Sequence, residues 1–534
     1  MEARPATPPN SVPFSSLGGA TSSRAGMATD HAPVLWAKVI DHRKCIGCHA
    51  CTLACKAEHL VPIGVNRTYV KQVEVGGFPT IQRHFQITRC NQCDKPPCVE
   101  ICPTGAMFRR EDGIVDFHRS ICIGCKACME ACPYDAIYID PLSRSAEKCN
   151  FCAHRIDMGL EPACVVVCPV EAIIVGPLNA DGSEVREILS REKVVVRKPE
   201  KGTHPKLFYI DAHESTLVPT AAAHPTLYPF AENANRAHFH PSTGSNLLQE
   251  MAVYDTPQKI PWGWMVSAYL WTKSLAAGLF ILPALLTWLG YHPGRTWDLT
   301  MAALAILWLV ITGILLVGDL THPERFYLIL VRPNPRSWLA RGAWIITAYG
   351  VLLAAFLLVT FLQWAAVIPL LRVVGVVLAV LTAVYTAFLF AQAKGRDLWQ
   401  NPLLPLHLLV QALLSGSAAI VLLAAIWRGE GDALLPIRWI FLTAAAVHLL
   451  LVASDLLTPH ATTDVALAAR SMYRGAFRLA YWGGLFGSGV LPFVLLGIGD
   501  LSSGWLHTAA AGVLLGLLLY DHAYVQAGQS VPLR

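Results

Sequence analysis

All 16 cysteines of this 534-residue chain lie between Cys45 and Cys168, in four groups of four. The groups are Cys45, Cys48, Cys51, Cys55; Cys90, Cys93, Cys98, Cys102; Cys122, Cys125, Cys128, Cys132; and Cys149, Cys152, Cys164, Cys168. No cysteine follows Cys168. Thiols confined in this way hold something, and their spacing limits what it is. The first and third groups read C-x2-C-x2-C-x3-C, and the third closes with Cys132-Pro133.

That run is the bacterial ferredoxin signature for [4Fe–4S] ligation, in which the fourth Cys serves the other cluster of a pair. Three thiolates at two-residue spacing on a looping backbone each reach a different iron of one cubane. The fourth, beyond a three-residue step, starts a helix pointing towards the neighbouring cluster. Groups two (closing Cys98-x3-Cys102-Pro103) and four (closing Cys164-x3-Cys168-Pro169) stretch the gap before the third Cys but keep that step and its proline. Disulfides need an oxidising compartment and usually a small secreted domain. Structural zinc favours two separated ligand pairs rather than repeated triplets. The pattern therefore predicts four [4Fe–4S] clusters, most economically an electron path.

A hydrophobic fraction of 54% is too high for a soluble chain of this size, and the apolar residues concentrate after about position 260. Eight stretches reach the ~20 residues a membrane span needs, near 264–289, 299–318, 342–366, 369–391, 403–427, 437–457, 476–498 and 504–525. The expected fold class is an α+β ferredoxin-like four-cluster domain followed by an all-α eight-helix transmembrane bundle in the lipid bilayer. Residues 1–30, rich in Ala, Pro, Ser and Thr and without a signal-peptide core, read as disordered. The cluster domain is expected over 31–215, a linker over 216–260 with a Pro- and His-rich stretch near 218–243, and the bundle over 261–534. Short strands are expected at Ile114–Asp116, Ile137–Ile139, Lys193–Arg197 and Leu207–Ile210. The net charge of +5 gives no nucleic-acid footprint.

With eight spans both chain ends face one side. The connections on that side carry Arg325, Arg332, Arg336, Arg341, Lys394, Arg396, Arg470, Arg474 and Arg478, against Arg295, Arg372, Arg428 and Arg438 opposite. Lys and Arg mark the cytoplasmic face, so the cluster domain is expected on the cytoplasmic side of a bacterial-type inner membrane.

The stretch from Cys45 to Leu178, with Cys90-Asn91-Gln92-Cys93-Asp94-Lys95-Pro96-Pro97-Cys98 and Cys149-Asn150-Phe151-Cys152, resembles the four-cluster iron–sulfur subunits of the dimethyl sulfoxide and polysulfide reductase families. From Trp262 onward the chain resembles the polysulfide-reductase (NrfD-like) membrane subunit. That likeness rests on Trp262-Gly263-Trp264, Gly318-Asp319-Leu320, Gln392-Ala393-Lys394-Gly395-Arg396 and Ala527-Gly528-Gln529-Ser530-Val531-Pro532. Two usually separate subunits are joined here in a single polypeptide. The resemblance implies cluster sets Cys45, Cys48, Cys51, Cys168; Cys149, Cys152, Cys164, Cys55; Cys90, Cys93, Cys98, Cys132; and Cys122, Cys125, Cys128, Cys102. It also implies a quinone-handling bundle without haem and a molybdopterin-type catalytic partner. Cys55 departs from the pattern in being followed by Lys56 rather than Pro.

Ionisable residues inside spans are costly and usually functional. Lys273 lies roughly 15 Å along the first span at 1.5 Å per residue. It is either a snorkelling lysine or a donor to a quinone carbonyl or a buried acid. Asp319, with His322 and Arg325 after it, is either a solvated helix end or a proton-handling site beside a quinone head group. His448 and Asp455 share a face of the sixth span, as a proton relay or as a core histidine and a helix-end acid. His407 and Gln411 share a face of the fifth. His407 and His448 are of the residue type that ligates haem, but nothing in the sequence sets them opposite each other. Tyr269, Tyr349 and Tyr385 are expected in packing and interfacial belts.

The sequence thus reads as the electron-transfer and quinone-oxidoreductase subunit of a larger complex, linking the quinone pool (menaquinone or ubiquinone) to a partner that carries terminal catalysis. Two alternatives stand beside it, a self-contained ferredoxin:quinone oxidoreductase and a proton-translocating module.

Overall fold

The computed structural model describes residues 34–77, 79–222, 250–256, 260–291, 294–424, 431–498 and 504–533. The segment 1–30 and residues 223–243 of the Pro- and His-rich stretch lie outside them.

The cysteine-bearing half carries strands β1 (Trp36–Asp41), β2 (Thr68–Val75), β3 (Gln82–Arg89), β4 (Met107–Arg109), β5 (Val115–Phe117), β6 (Ile137–Ile139), β7 (Ala146–Lys148), β8 (Ile173–Pro177), β9 (Val194–Val195), β10 (Leu207–Ile210) and β11 (Met251–Tyr254). Its short helices are α1 (Ala50–His59), α2 (Pro97–Ile101), α3 (Ala127–Ala131), α4 (Ala153–Ile156), α5 (Ala163–Val166), α6 (Glu184–Arg191) and α7 (Glu214–Leu217). One sheet has the order β8–β1–β10–β9, with β1 parallel to β10 and antiparallel to β8. A second is β11–β2–β3, and the hairpins β4–β5 and β6–β7 flank the third cysteine loop.

Each cysteine loop turns in the same way. The residue before the second cysteine has a left-handed backbone in all four, at Gly47, Gln92, Gly124 and Phe151. That reversal folds the loop over so that successive thiols face one space. Proline then sets helix length, because it disfavours helical geometry in the residue before it. α2 and α3 stop at Cys102-Pro103 and Cys132-Pro133 after five residues each. After Cys55, where Lys56 replaces the proline, α1 runs on to ten residues.

The strands at Ile137–Ile139 and Leu207–Ile210 fall where expected, the strand at Ile114–Asp116 shifts by one to β5, and Lys193–Arg197 contracts to β9. The β2–β3 hairpin, registered from Thr68 opposite Arg89 to Val75 opposite Gln82, alternates in apolar residues only briefly, at Val73-Glu74-Val75 and Phe85-Gln86-Ile87. It is covered on both faces, and polar Lys71, Gln86 and Thr88 are buried within it. β11 lies inside the expected linker, yet pairs with β2.

The second half is helical: α8 (Trp264–Trp288), α9 (Arg295–Gly318), α10 (Leu328–Val331), α11 (Trp338–Phe361), α12 (Ile368–Gln392), α13 (Leu404–Ala424), α14 (Gly431–Leu457), α15 (Thr463–Tyr473), α16 (Arg478–Leu485), α17 (Leu491–Ile498) and α18 (Gly504–Gly528). Among the described residues seven helices are long and apolar enough to cross a membrane: α8, α9, α11, α12, α13, residues Leu435–Leu457 of α14, and α18. The protein is a multi-pass membrane protein. The remaining expected span, 476–498, is helical in pieces, with α16 passing through a π-helical turn (Phe486–Val490) into α17. Two of its glycines lie tightly against α18, where a Cβ on Gly484 would stand 2.6 Å from the Tyr520 nitrogen and one on Gly487 2.8 Å from the Gly512 oxygen.

α8 is the central helix, packed against α9, α12, α13 and α18. Small residues allow close approach within a bilayer, where packing rather than water drives helix association. α8 and α13 touch at Gly278 and Gly416, and a Cβ on Gly278 would lie 2.0 Å from the Ala412 oxygen. Gly278→Ala is therefore expected to force the two helices apart and destabilise the bundle by about 1–3 kcal/mol, read as a lower thermal midpoint in detergent.

Candidate metal centres and the membrane interface

All sixteen cysteines are free thiols; eleven are buried, Cys45, Cys90, Cys125 and Cys168 are half-buried, and Cys48 is exposed. The fold sends the fourth cysteine of each group to a different group. Cys102 lines a cavity of about 370 Å³, counting the space open to solvent, with Cys122, Cys125 and Cys128. Cys132 lines another of about 310 Å³ with Cys90, Cys93 and Cys98. Cys168 lies within electrostatic reach of Cys45, and Cys55 within reach of Cys149, Cys152 and Cys164. Among the described residues no three His, Cys, Asp or Glu side chains converge on a single-ion site. A mononuclear zinc site draws four sulfurs to about 2.3 Å from one point. Four sulfurs around an open volume fit a polynuclear iron–sulfur group instead.

Burial pushes most of these thiols up, Cys51, Cys132 and Cys152 to about 11. Cys164 moves the other way. Burial would raise it, but Arg89 and Lys38 outweigh that effect and hold it at about 7. Arg89 Nη1 donates to Cys164 Sγ at 3.0 Å and Lys38 Nζ donates at 3.9 Å. His59 Nε2 lies 3.2 Å from Cys152 Sγ.

The third cysteine loop rests on the bundle. Trp262 Nε1 donates to the Cys125 carbonyl at 3.1 Å, and Trp262 stacks on Trp399 and Phe390. Lys126 Nζ donates to the Asp319 carboxylate at 3.0 Å and to its carbonyl at 2.9 Å. Gly124 is needed twice over: its φ is +68°, and a Cβ there would collide with Thr321. Arg396 Nε donates to Glu130 Oε2 in a pair buried on both sides. Asn334 and Ser337 donate to the carbonyls of Cys102 and Ile101.

Three of the expected site residues face this interface. Besides Asp319, His322 contacts the Ser143 carbonyl (2.9 Å), Ser145 and Glu324, while Arg325 donates to the carbonyls of Arg119 and Cys122. The other three lie in or beside the bundle interior. Lys273 is fully buried, donates to the Ala383 carbonyl at 2.6 Å, and lies over the Tyr385 ring. His448 Nδ1 is 2.9 Å from His407 Nε2, and its Nε2 is 3.0 Å from Ser488 Oγ in the π-helical turn. Asp455 accepts from Asn401 at 2.8 Å.

Asp521 does not stand out in the sequence because it falls near the end of a span, where a helix-end acid is unremarkable. It is the buried acid near Lys273, and accepts from Gln411 at 3.0 Å. Ser488 carries no signal either, since only the π-helical turn directs it at His448. Tyr269, Tyr349 and Tyr385 are buried in the bundle, as the packing part of that expectation has it.

Cys125→Ala is expected to remove the iron of one [4Fe–4S] centre from each molecule, on the basis of four cysteines per centre. Iron analysis of the purified full-length protein checks this, and unchanged iron would reject Cys125 as a ligand.

Comparison with known proteins agrees with this arrangement. The polysulphide reductase NrfD family model matches residues 252–532, and two 4Fe–4S dicluster domain models match residues 44–107 and 81–178. A tetrathionate reductase subunit of Salmonella typhimurium is 41% identical over 198 residues, covering 36% of this chain and 79% of that protein. A polysulfide reductase chain of Wolinella succinogenes is 39% identical over 173 residues, covering 32% and 91%. The arsenate respiratory reductase iron–sulfur subunit ArrB of a Shewanella species is 36% identical over 220 residues, covering 32% and 94%. The NrfD match spans more than half of the sequence, and the protein therefore belongs to the NrfD polysulphide reductase family and carries 4Fe–4S dicluster domains ahead of its membrane helices.

Proposed function

We propose that this protein passes electrons between a membrane quinone, menaquinone or ubiquinone, and a separate molybdopterin-type catalytic subunit. Four [4Fe–4S] clusters supply one-electron carriers along the way. Their ligands are Cys102, Cys122, Cys125 and Cys128 nearest the bundle; then Cys90, Cys93, Cys98 and Cys132; then Cys55, Cys149, Cys152 and Cys164; and last Cys45, Cys48, Cys51 and Cys168. Neighbouring sets approach through Cys128 and Cys98 and through Cys51 and Cys164. The observation that carries the reading is the seat of the Cys125 loop on Trp262 and Asp319, which brings one end of the cysteine series to the membrane helices.

The far end suits a protein partner. Exposed Cys48 is accompanied by exposed Ile46, Leu53, Leu60, Ile63 and Val166, apolar side chains that a docked catalytic subunit would cover. Relatives of the cysteine half are themselves named as single components of reductases, which fits a division of labour with a catalytic partner.

The eight-span count is supported by the meeting of the bundle's two ends. The Trp262 nitrogen donates to Gln529 at 3.0 Å, and Gln526 and Gln529 donate in return to the Trp262 carbonyl. An odd number of crossings would leave these ends on opposite faces. The basic connections lie on this same side, which favours a cytoplasmic cluster domain, although Arg325 and Arg396 also hold that domain in place.

Quinol oxidation releases two protons with two electrons. Asp319 lies within electrostatic reach of Tyr269, Tyr269 of Tyr385, and Lys273 of Asp521. With Lys273 over the Tyr385 ring, these pairwise approaches connect the seat of the cysteine loop to the bundle interior. In this reading Lys273 donates to a quinone carbonyl and Asp319 receives a proton at the cluster-facing end. The His407–His448–Ser488 series favours a second reading, in which the same chemistry drives protons across the bundle.

Lys273→Met is expected to slow quinol-dependent cluster reduction by about a hundredfold, the low end of what a positioned proton-transfer group contributes, with iron content unchanged. Stopped-flow bleaching of the cluster absorbance measures it, and unaltered kinetics would remove Lys273 from the site. Mild-detergent purification should bring down a large subunit containing molybdenum. Purification without it, together with quinone reduction by reduced ferredoxin, would select the self-contained oxidoreductase.

A further inference from the structure

Arg89 ends β3 immediately before the second cysteine group and is entirely buried. Its Nη1 donates to Cys164 Sγ, while its Nε and Nη2 are buried with no hydrogen-bond partner among the described residues. Its charge reaches Cys45, Cys51, Cys55 and Cys149 as well, so it stands between the two outer cysteine sets. Lys38, on β1, approaches the same Cys164 sulfur across the Phe151 ring. Cations also reach the inner sets, Lys148 at Cys98 and Lys206 at Cys93, but there they do not donate to sulfur. Lys148 and Lys206, both buried, donate to backbone carbonyls, Lys148 to Val115 and Cys149 and Lys206 to Gly113. The sulfurs of Cys102 and Cys122 receive the backbone N–H groups of Met107 and Ala146, each at 3.4 Å.

A buried guanidinium with no carboxylate beside it is costly unless something anionic satisfies it. A thiolate-ligated cluster is anionic and gains a further negative charge on each one-electron reduction, with no proton required. A cation held at its sulfur therefore stabilises the reduced form, and potentials of such clusters respond to net charge and to hydrogen bonds at sulfur.

We propose that Arg89, assisted by Lys38, tunes the cluster held by Cys55, Cys149, Cys152 and Cys164, raising its reduction potential so that electrons delivered by a quinol collect in the outer half of the path. This rests on the four-cluster, quinone-linked reading above. The arrangement biases flow away from the membrane, towards a partner that reduces its substrate.

The test is a potentiometric titration of the full-length protein followed by electron paramagnetic resonance, with Cys55→Ser identifying the signal. Arg89→Gln should lower the reduced-to-oxidised ratio of that cluster at least tenfold at fixed potential, a shift of about 59 mV for a one-electron couple, with a smaller fall at the cluster of Cys45, Cys48, Cys51 and Cys168, which the same charge reaches. Arg89→Lys should restore most of it, which a merely structural role would not. An unchanged midpoint in Arg89→Gln with full iron content, or no rescue by lysine, overturns the proposal. Should Arg89→Gln cost iron, Lys38→Met decides: a smaller fall at the same cluster supports tuning, and no fall refutes it. Fewer than four cluster signals in the unsubstituted protein would instead reject the four-cluster reading itself.

Discussion

Glu130 and Arg396 meet where the third cysteine loop enters the ends of the helices, and neither side chain reaches water. Two buried charges are tolerated only when each satisfies the other. Arg396 also donates to the carbonyls of Gln529 and Val531, so one guanidinium joins the cysteine half, the α12–α13 connection and the segment after α18, while Glu130 Oε1 has no hydrogen-bond partner among the described residues. Trp262, Asp319 and Asn334 add their own hydrogen bonds to the cysteine loops around that join. Electron transfer across such a boundary depends steeply on separation, and a boundary held by a buried ion pair has little freedom to open.

The cysteine half was legible in the sequence because its spacing is a covalent constraint that tertiary context cannot override. The left-handed turns before Cys48, Cys93, Cys125 and Cys152 and the prolines that cut α2 and α3 short are local consequences of that spacing. The β2–β3 hairpin was not legible, because both its faces are covered and its buried positions include Lys71 and Gln86. Periodicity reports a half-buried strand and is silent about one buried on both sides.

In the bundle, hydropathy located the helices, whereas the partners of their polar residues depended on packing that no single-sequence pattern carries. His407 and His448 lie on different helices, and their 2.9 Å approach follows from the way α13 meets α14. Lys273 was conspicuous as a charge in an apolar run; Asp521 was hidden by its place near a helix end. The π-helical turn adds a device that propensity does not encode, since one extra residue in the turn redirects Ser488 towards His448.

The hydrogen bonds between Trp262 and Gln526 and Gln529 also bear on biogenesis. The cysteine half leaves the ribosome first, but the platform that receives it includes residues that follow the last helix of the bundle. All sixteen cysteines precede that platform in the sequence, so every thiol is made before the platform is complete. Asp319, Asn334 and Ser337 are made earlier, but Trp262 and Arg396 gain these partners only when the final helix delivers Gln529 and Val531. A ribosome stalled within α18 would leave every cysteine made and the platform beneath the third cysteine loop unfinished.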